Sequence, residues 1–140
     1  MKKILIAGFV VAAGSVAFAQ SGGQMAVPNT PDKQVYDVPG QNVQVIIQTR
    51  SLQDGESVTP HIHKGVEMTE VVQGTFELYI KGQPVKIIHA GESFLVPREL
   101  PHDARPVPGT GPVKLAVTLV IDKGADPRYP LKDEHLIPGK

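Results

Sequence analysis

The sequence contains no cysteine and no tryptophan, and aromatic residues make up only 5% of its 140 residues. Without cysteine, the chain has no disulfide, no thiolate nucleophile and no Cys-x-x-Cys motif for metal or redox chemistry. Basic and acidic side chains balance at 14 each, so the charge gives no basis for binding nucleic acid or an anionic membrane. The sequence also lacks a phosphate-binding glycine loop and a Gly-x-Ser-x-Gly motif, which excludes the usual carriers of phosphoryl transfer and serine nucleophilic chemistry.

Long apolar runs are also scarce, and the clearest one lies at the N-terminus. Two lysines precede an apolar stretch from Ile4 to about Ala17, and a small-x-small pattern ends at Ala19. This arrangement predicts a secretory signal peptide over residues 1–19 that is cleaved after Ala19. The stretch is shorter than the ~20 apolar residues of a membrane-spanning helix. We therefore predict a periplasmic or secreted protein without membrane association after cleavage.

The rest of the sequence is rich in turn-forming residues, with 14 glycines and 13 prolines in the whole chain. Residues 20–42 are mostly glycine, proline and polar residues, which predicts a flexible N-terminal arm with an edge strand near residues 34–38. Residues 123–140 contain three prolines and scattered charges, which predicts a C-terminal extension that is either wrapped or loose.

Between these two segments, residues 43–122 alternate between apolar and polar residues in short stretches. No stretch of ten residues shows the 3.6-residue period of an amphipathic helix. The predicted strands cover residues 43–50, 57–63, 67–73, 75–80, 84–88, 93–96 and 113–122. Residues 106–112 are predicted to form a surface loop. About eight strands separated by turns predict an all-β barrel or sandwich.

The stretch from Gly55 to Gly74 contains the strongest chemical signal. His61 and His63 are one residue apart among β-branched neighbours, and alternate residues of a strand point to the same side. Glu67 follows four residues later, after a Lys-Gly step that permits a bend. One bound cation explains this grouping, whereas a polar core explains it without a metal.

The same five residues resemble the first motif of the cupin superfamily. That motif consists of a glycine, five residues, His-x-His, three residues, a glutamate, six residues and a glycine. Every fixed position is occupied, by Gly55, His61, His63, Glu67 and Gly74.

A later segment is similar to the second cupin motif, which contributes one more histidine. Gly91, Pro97 and His102 occupy its opening glycine, its proline and its histidine. Glu99 stands where the family usually has a glycine, and Pro106 stands where it usually has an asparagine. These two positions shape the turn and the strand around the histidine.

The resemblance implies a double-stranded β-helix, the jelly-roll barrel of cupins, over residues 43–122. It also implies a metal centre at one mouth of the barrel, formed by His61, His63, Glu67 and His102. Three imidazoles and one carboxylate suit divalent iron, manganese, zinc, nickel or copper, and do not resemble the all-oxygen cage of calcium. Four protein ligands leave positions open on a six-coordinate ion, where water, dioxygen or a substrate can bind.

Strand parity distinguishes the two glutamates of the first motif. Glu67 and Glu70 are three residues apart and therefore point to opposite faces of a regular strand. The motif spacing selects Glu67 as the ligand and makes Glu70 a surface or outer carboxylate. Glu70 and Tyr79 are the candidate catalytic residues for proton transfer, on the condition that they face the cavity.

Parity also suggests which residues surround the metal centre. Thr59 shares parity with the two histidines, and Thr69, Val71 and Gln73 share parity with Glu67. These four residues are interpreted either as cavity lining or as ordinary barrel interior.

The charged residues around the second motif have two interpretations. Arg98, Glu99 and Arg105 form either a charged rim that orients an anionic substrate or a solvated loop. The two remaining histidines, His89 and His135, lie far from the motifs and are predicted to be solvated.

The resemblance supports three functional hypotheses. The first is an exported metal-dependent enzyme that acts on a small polar or aromatic molecule, of the dioxygenase, decarboxylase or isomerase type. The second is a non-catalytic periplasmic cupin that binds a small ligand or a metal. The third is a cupin whose metal only supports the fold. Cupins of this size are frequently dimers, so the resemblance also implies a homodimer.

Overall fold

The computed structural model describes residues 32–139, so the predicted signal peptide and most of the predicted arm lie outside the described residues. No helix in the described part of the chain is long and apolar enough to cross a membrane. Ten strands form its regular structure: β1 (Lys33–Asp37), β2 (Val43–Leu52), β3 (Val58–Ile62), β4 (Gly65–Gln73), β5 (Thr75–Ile80), β6 (Lys86–His89), β7 (Ser93–Val96), β8 (His102–Pro106), β9 (Val113–Asp122) and β10 (Tyr129–Pro130).

The strands form two antiparallel five-stranded sheets. One sheet has the order β1-β2-β9-β4-β7, and the other has the order β10-β3-β8-β5-β6. The inner faces of the sheets form the core, whose most deeply buried side chains include Ile46, Val71, Phe76, Leu78, Val96, Leu119 and Ile121. This confirms the predicted all-β double-stranded β-helix.

Strand β9 lies at the centre of the first sheet and has the bounds that its alternating sequence predicts. It pairs with β2 along ten residues and with β4 on its other side. The backbones of β4 and β9 approach each other closely at Gly65. A Cβ atom there would collide with the Val120 carbonyl oxygen and lie 2.5 Å from the Ile121 Cα. Glycine therefore allows β4 to begin at this position, two residues before Glu67.

Two strands were not predicted, and both contain a proline. Strand β8 includes Pro106, which is buried and pairs with Phe76 of β5, although the sequence predicted a surface loop from this residue onward. Strand β10 contains only two residues and pairs with the edge of β3. Proline is tolerated at strand ends and sheet edges, so its presence did not exclude a strand at either position.

The C-terminal extension is wrapped against the barrel rather than loose. The amide of Leu131 donates to the carbonyl oxygen of Pro60 at 2.8 Å, continuing the pairing of β10 with β3. Further along, Ile137 is only 3% exposed. The extension therefore forms part of the wall of the barrel.

Candidate metal centre

The structure brings together the four side chains that the cupin resemblance implies. His61 in β3 and His102 in β8 are direct partners across the second sheet. His63 follows β3, and Glu67 lies in β4 of the first sheet. All four are buried, and their potential ligand atoms lie within 4.8 Å of one another. The group therefore connects the two sheets.

Backbone carbonyl groups orient each of the three imidazole rings through its Nδ1 atom. The acceptors are the carbonyl oxygens of Thr59 for His61 (2.7 Å), Pro127 for His63 (2.5 Å) and Leu100 for His102 (2.9 Å). A carbonyl oxygen only accepts hydrogen bonds, so each Nδ1 carries the proton. In the neutral rings, the Nε2 atoms therefore present their lone pairs, as metal-binding histidines require.

The carboxylate of Glu67 lies between two of these rings. Its Oε2 atom is 2.7 Å from the His63 Nε2 and 3.3 Å from the His102 Nε2, while Thr69 donates its hydroxyl to Oε1 at 2.7 Å. Burial alone would raise the pKa of Glu67, but the hydrogen bonds that the protonated His102 and His63 rings and the Thr69 hydroxyl can donate to it outweigh burial and hold the pKa well below its usual range. The carboxylate is therefore ionised at neutral pH.

The third imidazole is kept neutral by its surroundings. Burial lowers the pKa of His61 to about 3, and the charge of His102 acts in the same direction. At neutral pH this ring therefore offers a lone pair without first having to lose a proton.

The donor set fits a divalent transition metal. A carboxylate oxygen and an unprotonated ring nitrogen repel each other at 2.7 Å unless a proton or a metal ion is shared between them. Metal–ligand bonds of ~2.1 Å place two ligand atoms at most ~4.2 Å apart. The observed limit of 4.8 Å is only slightly larger, so a small contraction is enough for binding. Nitrogen and carboxylate donors suit divalent iron, manganese, nickel, copper and zinc.

The metal-binding group opens into a cavity of about 370 Å³. This volume is in the range of small-molecule binding sites. Part of the wall is apolar and is formed by Leu52, Val58, Phe76, Leu78, Phe94, Ala104, Leu115, Val117 and Leu119. The cavity therefore has room for a small ligand next to the four potential metal ligands.

None of the four residues selected by parity lines this cavity. Thr69 and Val71 are buried in the barrel interior, in agreement with the second interpretation, and Thr69 supports Glu67. Thr59 and Gln73 are exposed. The pairing register shifts between Val58 and His61, and again between Val71 and Gln73. Each shift breaks the strict alternation of sides on which the parity prediction depended.

The two candidate catalytic residues do not meet the condition of facing the cavity. Glu70 is exposed on β4, on the face opposite to Glu67. Tyr79 lies on the outer side of β5, where its hydroxyl donates to Glu77 at 2.8 Å and accepts from Arg105 at 3.2 Å. The condition on which the role of Glu70 and Tyr79 in proton transfer depends is therefore not met, since neither side chain lines the cavity.

The charged residues beside the second motif lie outside the cavity and are paired with other residues. Arg98 binds Asp122 through two hydrogen bonds, and Glu99 binds Lys64. Arg105 donates to Glu77. The charged-rim interpretation of these residues is therefore wrong. His89 and His135 are exposed, as predicted.

Sequence reasoning missed the basic residues that do line the cavity, which are Lys33, Arg50 and Arg128. The sequence contained a signal for Arg50, because Arg50 and the apolar Ile46 are four residues apart in β2 and therefore point to the same side. Arg128 gave no such signal, because the wrapped extension has no clear pattern.

A family model described as a cupin domain matches residues 49–122. A comparison with curated proteins gives no match. Among solved structures, an uncharacterised conserved protein from Klebsiella pneumoniae with a double-stranded β-helix domain is 19% identical, with a TM-score of 0.51. The alignment covers 77% of this chain and 91% of that chain.

Two solved enzymes are also similar in structure. An oxalate oxidase solved with the substrate analogue glycolate is 21% identical, with a TM-score of 0.50 over 64% of this chain and 46% of that chain. An oxalate decarboxylase is 18% identical, with a TM-score of 0.52 over 73% of this chain and 29% of that chain. The chain thus spans less than half the length of either enzyme, and these likenesses concern the fold alone. Because the family model covers more than half of the sequence and the barrel agrees with it, this protein belongs to the cupin family.

Proposed function

We propose that this protein is an exported, metal-dependent cupin enzyme that acts on a small polar or aromatic molecule at its three-histidine, one-glutamate centre. The reaction is of the dioxygenase, decarboxylase or isomerase type. The observation that carries the proposal is that the buried His-His-Glu-His group opens directly into a cavity of about 370 Å³. A purely structural metal site has no need of such a space beside its ligands.

The side chains of the cavity have separable tasks in such a reaction. A divalent ion bound by His61, His63, Glu67 and His102 would supply Lewis acidity at this wall of the cavity. The apolar wall, which includes Phe76 and Phe94, excludes water and accepts the apolar part of the molecule.

Proton transfer in this cavity has few possible carriers. Among the described residues that line the cavity, Asp126 is the one carboxylic acid besides Glu67. Because Glu70 and Tyr79 lie outside, a second function is also supported, namely a non-catalytic periplasmic cupin that binds a small molecule or a metal. Asp126 takes the role of proton acceptor in the enzyme and has no such role in the binding protein.

Elemental analysis of the protein expressed with export to the periplasm tests the metal centre. We expect close to one transition-metal ion per chain in the wild type and a loss of at least tenfold in the His61→Ala and His102→Ala variants. His89→Ala, which removes an exposed histidine, is the matched control and should keep the wild-type content. If both cavity variants kept their metal, the proposed centre would be wrong.

Assays with reloaded metal distinguish the enzyme from the binding protein. Copper and zinc bind such donors more tightly than manganese and iron do, so the metal found after purification does not identify the working one. Protein reloaded with iron(II) or manganese(II) should turn over small carboxylic and aromatic compounds. Thermal stabilisation by such a compound without any product would favour the binding protein. N-terminal sequencing of the exported chain should begin at Gln20.

A further inference from the structure

Three basic side chains line the same cavity as the potential metal ligands. Arg50 lies in β2, where the buried Ile46 defines the inner face, and a spacing of four residues places both on that face. Gln48 lies between them in the same row and also lines the cavity. Lys33 of β1 is the direct partner of Gln48, and directly opposed residues project on the same side of a sheet. Two adjacent strands thus direct Lys33 and Arg50 toward the cavity, with Arg50 on a solvent-exposed part of its wall.

The third basic residue, Arg128, is held in place on both sides. The carbonyl oxygen of the preceding Pro127 accepts the Nδ1 proton of His63 at 2.5 Å. The following Tyr129 pairs with Ile62 at the edge of β3. The backbone of Arg128 is therefore fixed directly beside the metal-binding group.

The three cations of the cavity wall have no acidic partner in the ion pairs of residues 32–139, unlike the two arginines of the outer surface, Arg98 and Arg105. The ion pairs of residues 32–139 involve Lys64, Lys81, Lys123, Arg98 and Arg105 as basic residues, together with two of the metal-binding histidines. None of them involves Lys33, Arg50 or Arg128. Asp126 also lines the cavity, so three cations face one carboxylate besides Glu67. Burial lowers the pKa of Arg128, and the nearby charge of Arg50 acts in the same direction, in keeping with two guanidinium groups that share one region without an anion between them.

We propose that Arg50 and Arg128 bind the anionic group of the substrate, which is a small organic carboxylate or phosphate, and that Lys33 adds to the positive field. This inference rests on the function proposed above and specifies its class of substrate. Guanidinium groups present rigid forks of N–H donors that match the oxygens of a carboxylate or a phosphate. The cavity volume of about 370 Å³ admits such a molecule with one small ring or a short chain. The anionic group faces the arginines, and the apolar part contacts the aromatic wall.

Titration calorimetry with zinc-loaded protein tests this proposal. Zinc(II) binds nitrogen and oxygen donors and has no redox chemistry, so no turnover with dioxygen disturbs the measurement. The probes are benzoate, phenyl phosphate and the neutral benzamide, which is similar to benzoate in shape. We expect at least one of the two anions to bind roughly tenfold or more tightly than benzamide, the size typical of hydrogen bonds to charged groups. The stronger of the two anions identifies the carboxylate or the phosphate class.

The zinc ion also attracts anions, so substitutions are needed to separate its contribution to anion binding from that of the arginines. Arg50→Gln and Arg128→Gln should each weaken binding of the preferred anion roughly tenfold and leave benzamide binding unchanged. Arg98→Gln removes the same charge from the outer surface, where Arg98 pairs with Asp122, and should bind the anion like the wild type. Circular dichroism and zinc content, measured for every variant, show that the barrel and its metal centre are intact.

Two results would overturn the proposal. One is wild-type affinity for the preferred anion in both cavity variants, and the other is an anion affinity no higher than that of benzamide. Either result would leave the metal centre standing if zinc binds normally. If the wild type failed to bind zinc, the proposed function would be wrong. The same titrations on chelator-treated protein would then still measure how much the arginines contribute to anion binding. A loss of anion binding in the cavity variants of that protein supports the arginine site on its own.

Discussion

The inner and outer faces of the barrel use the same types of charged residue in different ways. On the outer face, Arg105 pairs with Glu77 and Arg98 pairs with Asp122. The exposed pair of Arg98 contributes little to the free energy of unfolding, the pair of Arg105 is half-buried, and the charges of both arginines are already neutralised. On the inner face, Glu67 contacts histidines, and the cavity arginines have no carboxylate partner in the ion pairs of residues 32–139. The cavity arginines therefore keep the capacity to bind an anionic ligand, whereas the carboxylate partners of Arg98 and Arg105 already occupy theirs.

The largest expected effect distinguishes two glutamates of the same strand. Glu67→Gln removes the negative charge from the buried group and should weaken zinc binding by about 100-fold or more, because loss of even an outer-shell partner costs up to that amount. Glu70→Gln makes the same chemical change on the exposed face of β4 and should leave the affinity unchanged. Competition with a chromophoric chelator measures both. Equal affinities for the two variants would remove the distinction between the faces.

The next effect concerns the stability of the metal-free protein at acid pH. The pKa of His61 is lowered from 6.5 to about 3, so between these values the unfolded chain binds a proton that the folded chain does not. The free energy of unfolding therefore falls as the pH falls, by about 2 kcal/mol between pH 6.5 and pH 5. The lowered pKa of Glu67 acts with the same sign below its ordinary value of 4.5.

Urea unfolding at pH 7 and pH 5 measures this linkage. His61→Gln should show a clearly smaller drop in stability between the two pH values than the wild type. His89→Gln, at an exposed position, should show the drop of the wild type. An equal drop in all three proteins would mean that burial of His61 is not its source.

A smaller effect is expected for the hydroxyl group that supports Glu67. Thr69→Val keeps the shape of the side chain but removes its donor to the Glu67 Oε1, and should weaken zinc binding roughly tenfold. Thr118 lies on β9, paired with Ile47 and Met68, both of which are exposed. Thr118→Val is therefore the matched control, and chelator competition should show wild-type affinity for it. If both valine variants bound zinc alike, Thr69 would not be a positioning residue.

Regular alternation made most of the fold predictable from the sequence. Strands β5, β7 and β9 have the predicted bounds, because their side chains alternate without interruption between the core and the surface. Strand β8 was missed because its burial does not alternate, with His102, Asp103 and Ala104 all buried, and because it ends at a buried proline.

The site was predictable only where its geometry is local. The sequence shows that the side chains of His61 and His63 point to the same side of a strand, because one residue separates them. The motif spacing added His102 from a different part of the chain. Local bulges place the side chains of Thr59 and Gln73 on the side opposite to the one that regular alternation predicts. Counting residues along the sequence does not reveal such a bulge. Arg128 enters the cavity because Pro127 accepts a hydrogen bond from His63, 64 residues away. Such a contact belongs to the tertiary structure and leaves no local pattern.

The smallest effect is expected at Glu99, where the second motif departs from the usual glycine. Its φ angle is 58°, in the left-handed region that side chains with a Cβ disfavour. The exposed ion pair between Glu99 and Lys64 contributes little to the free energy of unfolding.

Glu99→Gly should therefore raise the urea midpoint slightly, because it relieves this strain and keeps the hydrogen bond from the amide of residue 99 to the His63 carbonyl oxygen. Glu99→Gln keeps the strained backbone and removes the ion pair, so it should leave the midpoint unchanged or lower it slightly. Zinc affinity should remain at the wild-type value in both, since the Glu99 side chain pairs with Lys64 and does not line the cavity. Since neither variant can form the ion pair, a midpoint for glycine no higher than that for glutamine would show that relief of the backbone strain does not stabilise this turn.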